Sequence, residues 1–299
     1  MIAFDPIYTY PVPENHRFPM EKYALLHEQL LWEGVVQKQD FFSPKKVSFA
    51  SATLVHSPQY VKDFIGLTLD ERTRIHIGFI QSQQLVDREL TLVQGTIDGA
   101  LYALEDGIAF NIAGGTHHAY SNRGEGFCML NDQAIAAAYL LQYRKAKRIL
   151  IIDLDVHQGN GTAEIFSHTP EVFTFSMHAK GNYPFVKEQS DMDIELEDKT
   201  TDTVYLSLLK EALTKLFEKH QPDFVFYQSG VDVLESDKLG KLNLSIEGCA
   251  ERDKLVFEQC KKRQIPIQCS MGGGYSPRLS IILTAHTNTF KVAKRVFDI

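Results

Sequence analysis

The sequence predicts an α/β protein built on a parallel β-sheet, and three observations lead to this fold class. Apolar segments with the length of buried strands alternate with helical patterns along the chain. The apolar segments are nearly continuous, as expected of parallel strands that helices cover on both faces. No internal repeat, low-complexity tract or linker interrupts the alternation, so we expect residues 1–299 to form a single domain.

Five segments are predicted as strands because Val, Ile, Leu and Phe dominate them. They are residues 107–112, 148–156, 172–177, 223–228 and 265–271. The predicted helices are residues 132–143, 203–219, 245–262 and 287–296. The first of these begins after Asn131, a residue type that commonly caps helices. The first 20 residues contain four prolines, so we expect an irregular lead-in on the surface.

The composition is that of a soluble globular protein. Of the 299 residues, 44% are hydrophobic and 23% are charged, and the formal net charge is −7. These values exclude collagen-like and disordered chains. No block of Lys and Arg occurs, so we expect no nucleic-acid partner. No segment approaches the roughly 20 apolar residues of a membrane span, so we expect no membrane partner.

The cysteines and the first residues indicate a cytoplasmic location. Cys128, Cys249, Cys260 and Cys269 form no C-x-x-C pair, and we expect free thiols in a reducing compartment. The first residues lack the basic and apolar regions of a signal peptide.

Residues able to carry chemistry follow every predicted strand. Ligands of open α/β sheets bind beyond the carboxyl ends of the strands. The segments at those ends are 113–118, 153–161, 176–178, 229–232 and 270–275, and they are rich in His, Asp, Ser and Gly. The sequence therefore predicts an active site at one edge of the sheet.

Three ionisable residues, Asp153, Asp155 and His157, alternate at the end of one predicted strand. Because side chains of a strand alternate, all three are expected on one face. They could hold a divalent cation that Asp232 helps to ligate, with a position left open for catalysis. The alternative is that an aspartate caps the next helix while His157 binds backbone. Three ionisable groups on one buried face need a cation, which favours the metal site.

The adjacent His117 and His118 are candidates for proton transfer, because the pKa of histidine lies near neutrality. The alternative is a pair of surface loop histidines. The preceding Gly114 and Gly115, which permit close approach of the backbone, favour a functional pair.

The segment 272–275 contains three glycines before Tyr275 but lacks the Lys-Ser/Thr of a phosphate-binding loop. We interpret it as a mobile turn that brings a phenol donor into the site. A nicotinamide site is disfavoured because Glu164 replaces the third glycine after Gly159 and Gly161. No serine lies in G-x-S-x-G, and we interpret Cys128 as a packing residue.

Five motifs together closely resemble the zinc-dependent histone deacetylase family. They are GGTHHA at 114–119, GFCMLND at 126–132, DLDVHQGNGT at 153–162, SGVD at 229–232 and GGGY at 272–275. The resemblance also covers residues 16–23 and 55–60 and reaches the last helix. The HQGNG form at 157–161 is most similar to the class IV branch and its bacterial relatives.

The resemblance implies the arginase/deacetylase fold, with one parallel sheet of about eight strands and helices on both faces. It implies that Asp155, His157 and Asp232 hold Zn²⁺, although the same ligands accept Fe²⁺. The residues that match the rest of the catalytic apparatus are the proton-handling His117 and His118, Asp153 and Asn160 that orient them, and the carbonyl-polarising Tyr275. The residues that match the acyl-lysine channel are Gly126, Phe127 and Tyr183.

The resemblance also implies two structural K⁺ sites. The first matches the Ser176 side chain and the carbonyls of Met177, Asp153, Asp155 and His157. The second matches Phe166, Thr169, Val172 and Tyr205.

The expected function is therefore zinc-dependent hydrolysis that removes an acyl group from the ε-amide of lysine in a protein or peptide. Hydrolysis of an acetylated polyamine or another small N-acyl amide is the alternative within enzymes. A protein that only binds acyl-lysine is the alternative outside enzymes, although a binder needs no proton-handling histidines.

Overall fold

The computed structural model describes residues 1–299 and contains one sheet of eight parallel strands. The strands are β1 Ile2–Ala3, β2 Phe41–Phe42, β3 Ile108–Asn111, β4 Ile149–Asp153, β5 Val172–Ala179, β6 Met192–Leu196, β7 Phe224–Gln228 and β8 Ile267–Ser270. Their order across the sheet is β2-β1-β3-β8-β7-β4-β5-β6, and every neighbouring pair is parallel. The predicted fold class is confirmed.

Ten α-helices accompany the sheet. They are α1 Lys22–Trp32, α2 Phe49–Ala52, α3 Pro58–Ile65, α4 Glu71–Ile77, α5 Gln83–Asp106, α6 Asp132–Gln142, α7 Asn160–Phe166, α8 Asp202–His220, α9 Ile246–Arg263 and α10 Leu279–Phe297. Short 3-10 turns occupy Pro6–Tyr8 and Lys38–Asp40. None of the ten helices combines the length and apolar character needed to cross a membrane.

The central strands are covered on both faces, which explains their continuous apolar sequences. Every residue of β3, β4, β7 and β8 is buried. Such strands leave no solvated face that would favour alternation with polar residues. Helix α5 packs against β3 and β8, and 80 buried apolar residues form one core cluster. The two-sided cover leaves the carboxyl ends of the strands as the place where polar side chains collect.

The prediction of an irregular surface lead-in is wrong for the first residues. Ile2 and Ala3 form β1 inside the sheet, where they pair with Phe41–Phe42 on one side and with Phe110 and Asn111 on the other. Two residues are too few to produce a recognisable strand pattern. The structure also adds β6, an edge strand with polar residues, and α5, which were not predicted.

The predicted strand 148–156 is too long, because β4 ends at Asp153. Asp155 and His157 lie in the turn that follows, so strand alternation does not bring them together. Instead, the Asp155 N–H donates to Asp153 Oδ1 at 3.1 Å, and the His157 N–H donates to Asp155 Oδ1 at 3.0 Å. Aspartate side chains commonly bind the backbone two residues ahead in this way. The turn then leads into α7.

Helix α7 lies directly against the segment that carries the histidine pair, so we expect Gly161→Ala to destabilise the protein. A Cβ on Gly161 would lie 2.2 Å from the Ala119 carbonyl oxygen and 2.8 Å from the His118 carbonyl carbon. Relief requires backbone movement, and overpacking of this kind typically costs about 1–3 kcal/mol. Urea denaturation measures the free energy of unfolding.

Gly99→Ala is the matched control. Gly99 lies within α5, and the nearest atom to an added Cβ is Gln268 Cγ at 3.5 Å, an ordinary contact. Alanine should stabilise this helix by up to about 1 kcal/mol. A Gly161→Ala variant as stable as the wild type would contradict the close packing of α7.

Candidate active site

Asp155, His157 and Asp232 converge beyond the ends of β4 and β7. One possible ligand atom from each lies within 4.8 Å of the others. His157 Nδ1 is 3.0 Å from Asp155 Oδ1 and 3.3 Å from Asp232 Oδ2. All three residues are buried. The three residues that the sequence predicted as metal ligands therefore belong to one cluster.

The charges of this cluster fit a divalent cation. Asp232 Oδ2 is buried and has no hydrogen-bond partner, although His157 Nδ1 lies 3.3 Å away. Burial and the neighbouring Asp155 carboxylate both raise the pKa of Asp232. Burial alone would lower the pKa of His157, but the two carboxylates outweigh it and raise that pKa to about 10. A metal ion would replace the proton between these atoms, since ligands must be deprotonated to bind it.

Each histidine of the predicted pair has its own partner. His117 Nδ1 lies 2.6 Å from Asp153 Oδ2, and His118 Nδ1 lies 2.6 Å from Asn160 Oδ1. The two rings are 4.1 Å apart between centroids, and the His118 ring is 5.8 Å from that of His157. Asp153 therefore contacts His117 and lies outside the cluster of possible metal ligands.

The pKa values of the two histidines are shifted in opposite directions. Burial lowers the pKa of His117, but the Asp153 and Asp155 carboxylates outweigh it and raise that pKa to about 9. Burial lowers the pKa of His118 well below its usual range, and the positive charges of His117 and His157 act in the same direction. At neutral pH His118 is therefore neutral and able to accept a proton, whereas His117 is charged.

The loop 272–275 packs tightly on the cluster of Asp155, His157 and Asp232. The Gly273 N–H donates to Asp155 Oδ2 at 3.0 Å, and a Cβ on Gly273 would lie 1.8 Å from Asp232 Oδ2. Tyr275 is anchored by its backbone N–H, which donates to Asp237 Oδ2 at 2.6 Å. The glycines permit close approach to the carboxylates, and hydrogen bonds from Gly273 and Tyr275 hold the loop in place. The interpretation of this segment as a mobile turn is therefore wrong.

Tyr275 is held as a protonated phenol. Burial raises its pKa well above the usual range, and the nearby Asp232 and Asp155 carboxylates raise it further. Its ring packs edge-on against Phe18 at 5.9 Å between centroids. The hydroxyl is thus available as a hydrogen-bond donor beside the cluster.

A small pocket reaches the cluster, with Asp155 and His157 in its lining. Its lining residues include Phe18, Gly126, Phe127, His117, His118 and Tyr275. Tyr183 lies outside this lining, but its ring stands perpendicular to that of His118 with centroids 5.0 Å apart. Of the predicted channel residues, Gly126 and Phe127 thus line the pocket, and Tyr183 supports its histidine.

Several of the residues matched to potassium are neighbours, and the two K⁺ sites stay predictions. Ser176 and Met177 follow one another in β5, where Ser176 pairs with Asp153 of β4. Three residues of the second set, Phe166, Thr169 and Val172, span the turn between α7 and β5. There the Thr169 N–H donates to the Phe166 carbonyl, and the Val172 N–H to that of Thr169. Tyr205 is fully buried in α8.

Sequence reasoning missed several residues that support the site, and Lys22 is the clearest example. Its ammonium group is buried and donates to the Gly272 carbonyl at 3.0 Å. Burial lowers its pKa to about 8, although the Asp232 and Asp155 carboxylates oppose that shift. A lysine near the start of a helix gives no sequence signal for such a role. Gln228, which donates to the Gly115 carbonyl at 2.8 Å, was missed as well, because its role depends on a contact between distant segments.

All four cysteines are free and buried. Burial raises the pKa of Cys128 well above its usual range, so it is held as a thiol. Its Sγ lies 3.5 Å from the Gly126 carbonyl oxygen. A buried protonated thiol of this kind is a poor nucleophile, which agrees with a packing role.

Comparisons with known proteins point to one family. A family model described as the histone deacetylase domain matches residues 16–290. Histone deacetylase 2 of Arabidopsis thaliana is 31% identical over 273 residues, which cover 88% of this chain and 70% of that protein. Human histone deacetylase 1 is 30% identical over 294 residues, covering 90% of this chain and 59% of the human protein.

Two further comparisons extend over the whole chain. An uncharacterised protein of Picosynechococcus is 44% identical over 296 residues, which are 99% of each chain. The crystal structure of a histone deacetylase homologue from Aquifex aeolicus superposes with a TM-score of 0.82 at 22% identity, covering 99% of this chain and 87% of that one. It shows that the fold is the arginase/deacetylase fold. From the family match and the relatives at 30% identity or more, we conclude that this chain belongs to the histone deacetylase family.

Proposed function

We propose that this hydrolase of the histone deacetylase family removes an acyl group from the ε-amide of lysine in a Zn²⁺-dependent reaction. The observation that carries the proposal is that two histidines, each oriented by its own partner, lie directly beside Asp155, His157 and Asp232. A binding protein needs no oriented pair of histidines at such a place. Zn²⁺ is proposed over Fe²⁺ only as the ion to test first, because the ligand set accepts both.

Zn²⁺ held by Asp155, His157 and Asp232 would supply Lewis acidity and make a water molecule more acidic. His118 accepts the proton of the attacking water and later donates it to the departing amine. His117, held by Asp153, keeps a positive charge beside the reacting groups. Tyr275 donates a hydrogen bond to the oxyanion that develops on the acyl carbonyl.

The pocket supports an acyl-lysine substrate. Its narrow, partly aromatic lining of Phe18 and Phe127 suits an unbranched aliphatic chain that carries the amide to the cluster. Acetylated polyamines also contain such chains, and the acidic net charge would favour a cationic substrate of either kind. Parallel assays of an acetyl-lysine peptide, a fatty-acylated lysine peptide and an acetylated polyamine, with a chelator control, test this assignment. Turnover of the polyamine alone would contradict it.

Tyr275→Phe tests the proposed reaction. Loss of one oxyanion donor typically lowers kcat by about 100- to 1000-fold. We expect a fall of that size with little change in KM and unchanged metal content. Tyr143→Phe, a half-exposed tyrosine at the end of α6, is the control and should keep wild-type kcat. Unchanged turnover in Tyr275→Phe would contradict the role of this phenol.

His157→Ala tests the metal site by metal content. Removing one of three protein ligands should abolish stoichiometric binding of the divalent ion, and activity should disappear with it. Elemental analysis of the purified protein gives the metal-to-chain ratio. His168→Ala changes an exposed histidine and should keep one ion per chain. One Zn²⁺ per chain in His157→Ala would overturn the site.

Thiol titration tests the rival in which Cys128 is a nucleophile. Because Cys128, Cys249, Cys260 and Cys269 are buried and burial raises their pKa values, no thiol should react with Ellman's reagent in the native protein. All four should react in guanidinium chloride. Rapid native modification of Cys128 with loss of activity would revive the thiol mechanism.

A further inference from the structure

We propose that Glu125 is a positioning residue that acts on His118 through Asn160. It fixes the orientation of the Asn160 amide and thereby keeps His118 in the tautomer that carries its proton on Nδ1. The inference rests on the proposed function, in which Nε2 of His118 must be free to accept a proton.

Glu125 lies at the centre of a small network behind the pocket. Its side chain is only 13% exposed. Oε1 accepts a hydrogen bond from the Tyr183 hydroxyl at 2.6 Å and another from Asn160 Nδ2 at 2.8 Å. Oε2 accepts from Arg123 Nε at 3.3 Å. The carboxylate is therefore held from three directions.

The contact with Glu125 decides which way the Asn160 amide points. A carboxylate can only accept hydrogen bonds, so the amide group that faces it must be the NH₂. The amide oxygen then faces His118 Nδ1, at 2.6 Å. That oxygen can only accept, so Nδ1 must carry a hydrogen. Neutral imidazole has a single N–H, and Nε2 is left with its lone pair.

The Tyr120 hydroxyl, the other neighbour of the Asn160 amide, does not impose this orientation. Asn160 Nδ2 also lies 3.1 Å from the Tyr120 hydroxyl, which can act as donor or acceptor by rotating its hydrogen. With Glu125 removed, the amide can turn over and place its NH₂ against His118 Nδ1. That orientation favours the opposite tautomer, in which Nε2 carries the proton and cannot act as a base.

The backbone beside Glu125 is also fixed against His118. Gly126 has a φ of +58°, and a Cβ on it would lie 2.7 Å from His118 Cδ2. The Tyr183 ring, tied to Glu125 through its hydroxyl, stands perpendicular to the imidazole on another side. The Glu125 carboxylate thus binds both the Asn160 amide and the Tyr183 hydroxyl, and each of these side chains contacts His118.

The tautomer of His118 can be measured directly in the metal-loaded protein by ¹⁵N NMR of labelled histidines, with its signals assigned from their loss in His118→Gln. Wild type should show a hydrogen on Nδ1 alone. Glu125→Gln should show a mixture of tautomers, because a glutamine amide can donate or accept. We expect kcat to fall about tenfold or more, the usual effect of losing an orienting partner, with little change in KM.

Two further variants make the test specific. Glu188→Gln alters an exposed carboxylate that reaches Asn160 only through Tyr120, and it should keep the wild-type tautomer and kcat. The double variant Glu125→Gln with Asn160→Asp places an acceptor-only group against His118 Nδ1. It should restore the single tautomer and most of the lost kcat. If Glu125→Gln does not fold, Glu125→Ala is used in its place.

The outcomes separate the inference from the proposed function. A Glu125→Gln protein whose His118 stays entirely in the Nδ1–H tautomer overturns the role of Glu125, and so does a double variant that still shows mixed tautomers. A changed tautomer with unchanged kcat supports the positioning by Glu125, but it removes His118 as the base of the proposed reaction.

Discussion

The burial of two carboxylates and an imidazole within 4.8 Å of one another is the constraint on which the rest of this structure depends. Charged groups removed from water are costly unless partners surround them. The surroundings of Asp155 and Asp232 meet this need with backbone N–H groups, since Gly273 donates to Asp155 and Val156 donates to Asp232. The buried Lys22 ammonium adds a positive charge nearby. Glycines, turns and a lysine distant in sequence are all arranged around these charges.

The sheet supplies the geometry that makes this arrangement possible. In the order β3-β8-β7-β4, four neighbouring strands end at the same edge. The histidine pair follows β3, the Tyr275 loop follows β8, Asp232 follows β7 and Asp155 follows β4. Neighbouring strands of a sheet are about 4.8 Å apart, so short loops suffice to bring these groups together. The site therefore needs no long flexible segment.

The sequence predicted the fold class and the residues of the site better than it predicted the contacts between them. Strands such as β4 and β7 were recognised because burial on both faces leaves an unbroken apolar pattern, whereas β1 has only two residues and β6 has a partly polar sequence. Asp155 and His157 were found through their spacing, although a turn, not a strand, brings them together. The roles of Lys22 and Glu125 depend on tertiary contacts between distant segments, and no local pattern encodes such contacts.

The position of β8 has a consequence for how the protein folds. It is the last strand in the chain, yet it lies between β3 and β7 and alone joins the group β2-β1-β3 to the group β7-β4-β5-β6. Pairing of Ile108 with Ile267 requires closure of a long loop, and such non-local pairing is slow. During synthesis the histidine pair and the cluster of Asp155, His157 and Asp232 leave the ribosome before β8. Until β8 inserts, the two groups of strands hold separate parts of the site, so catalytic competence arrives with the final strand.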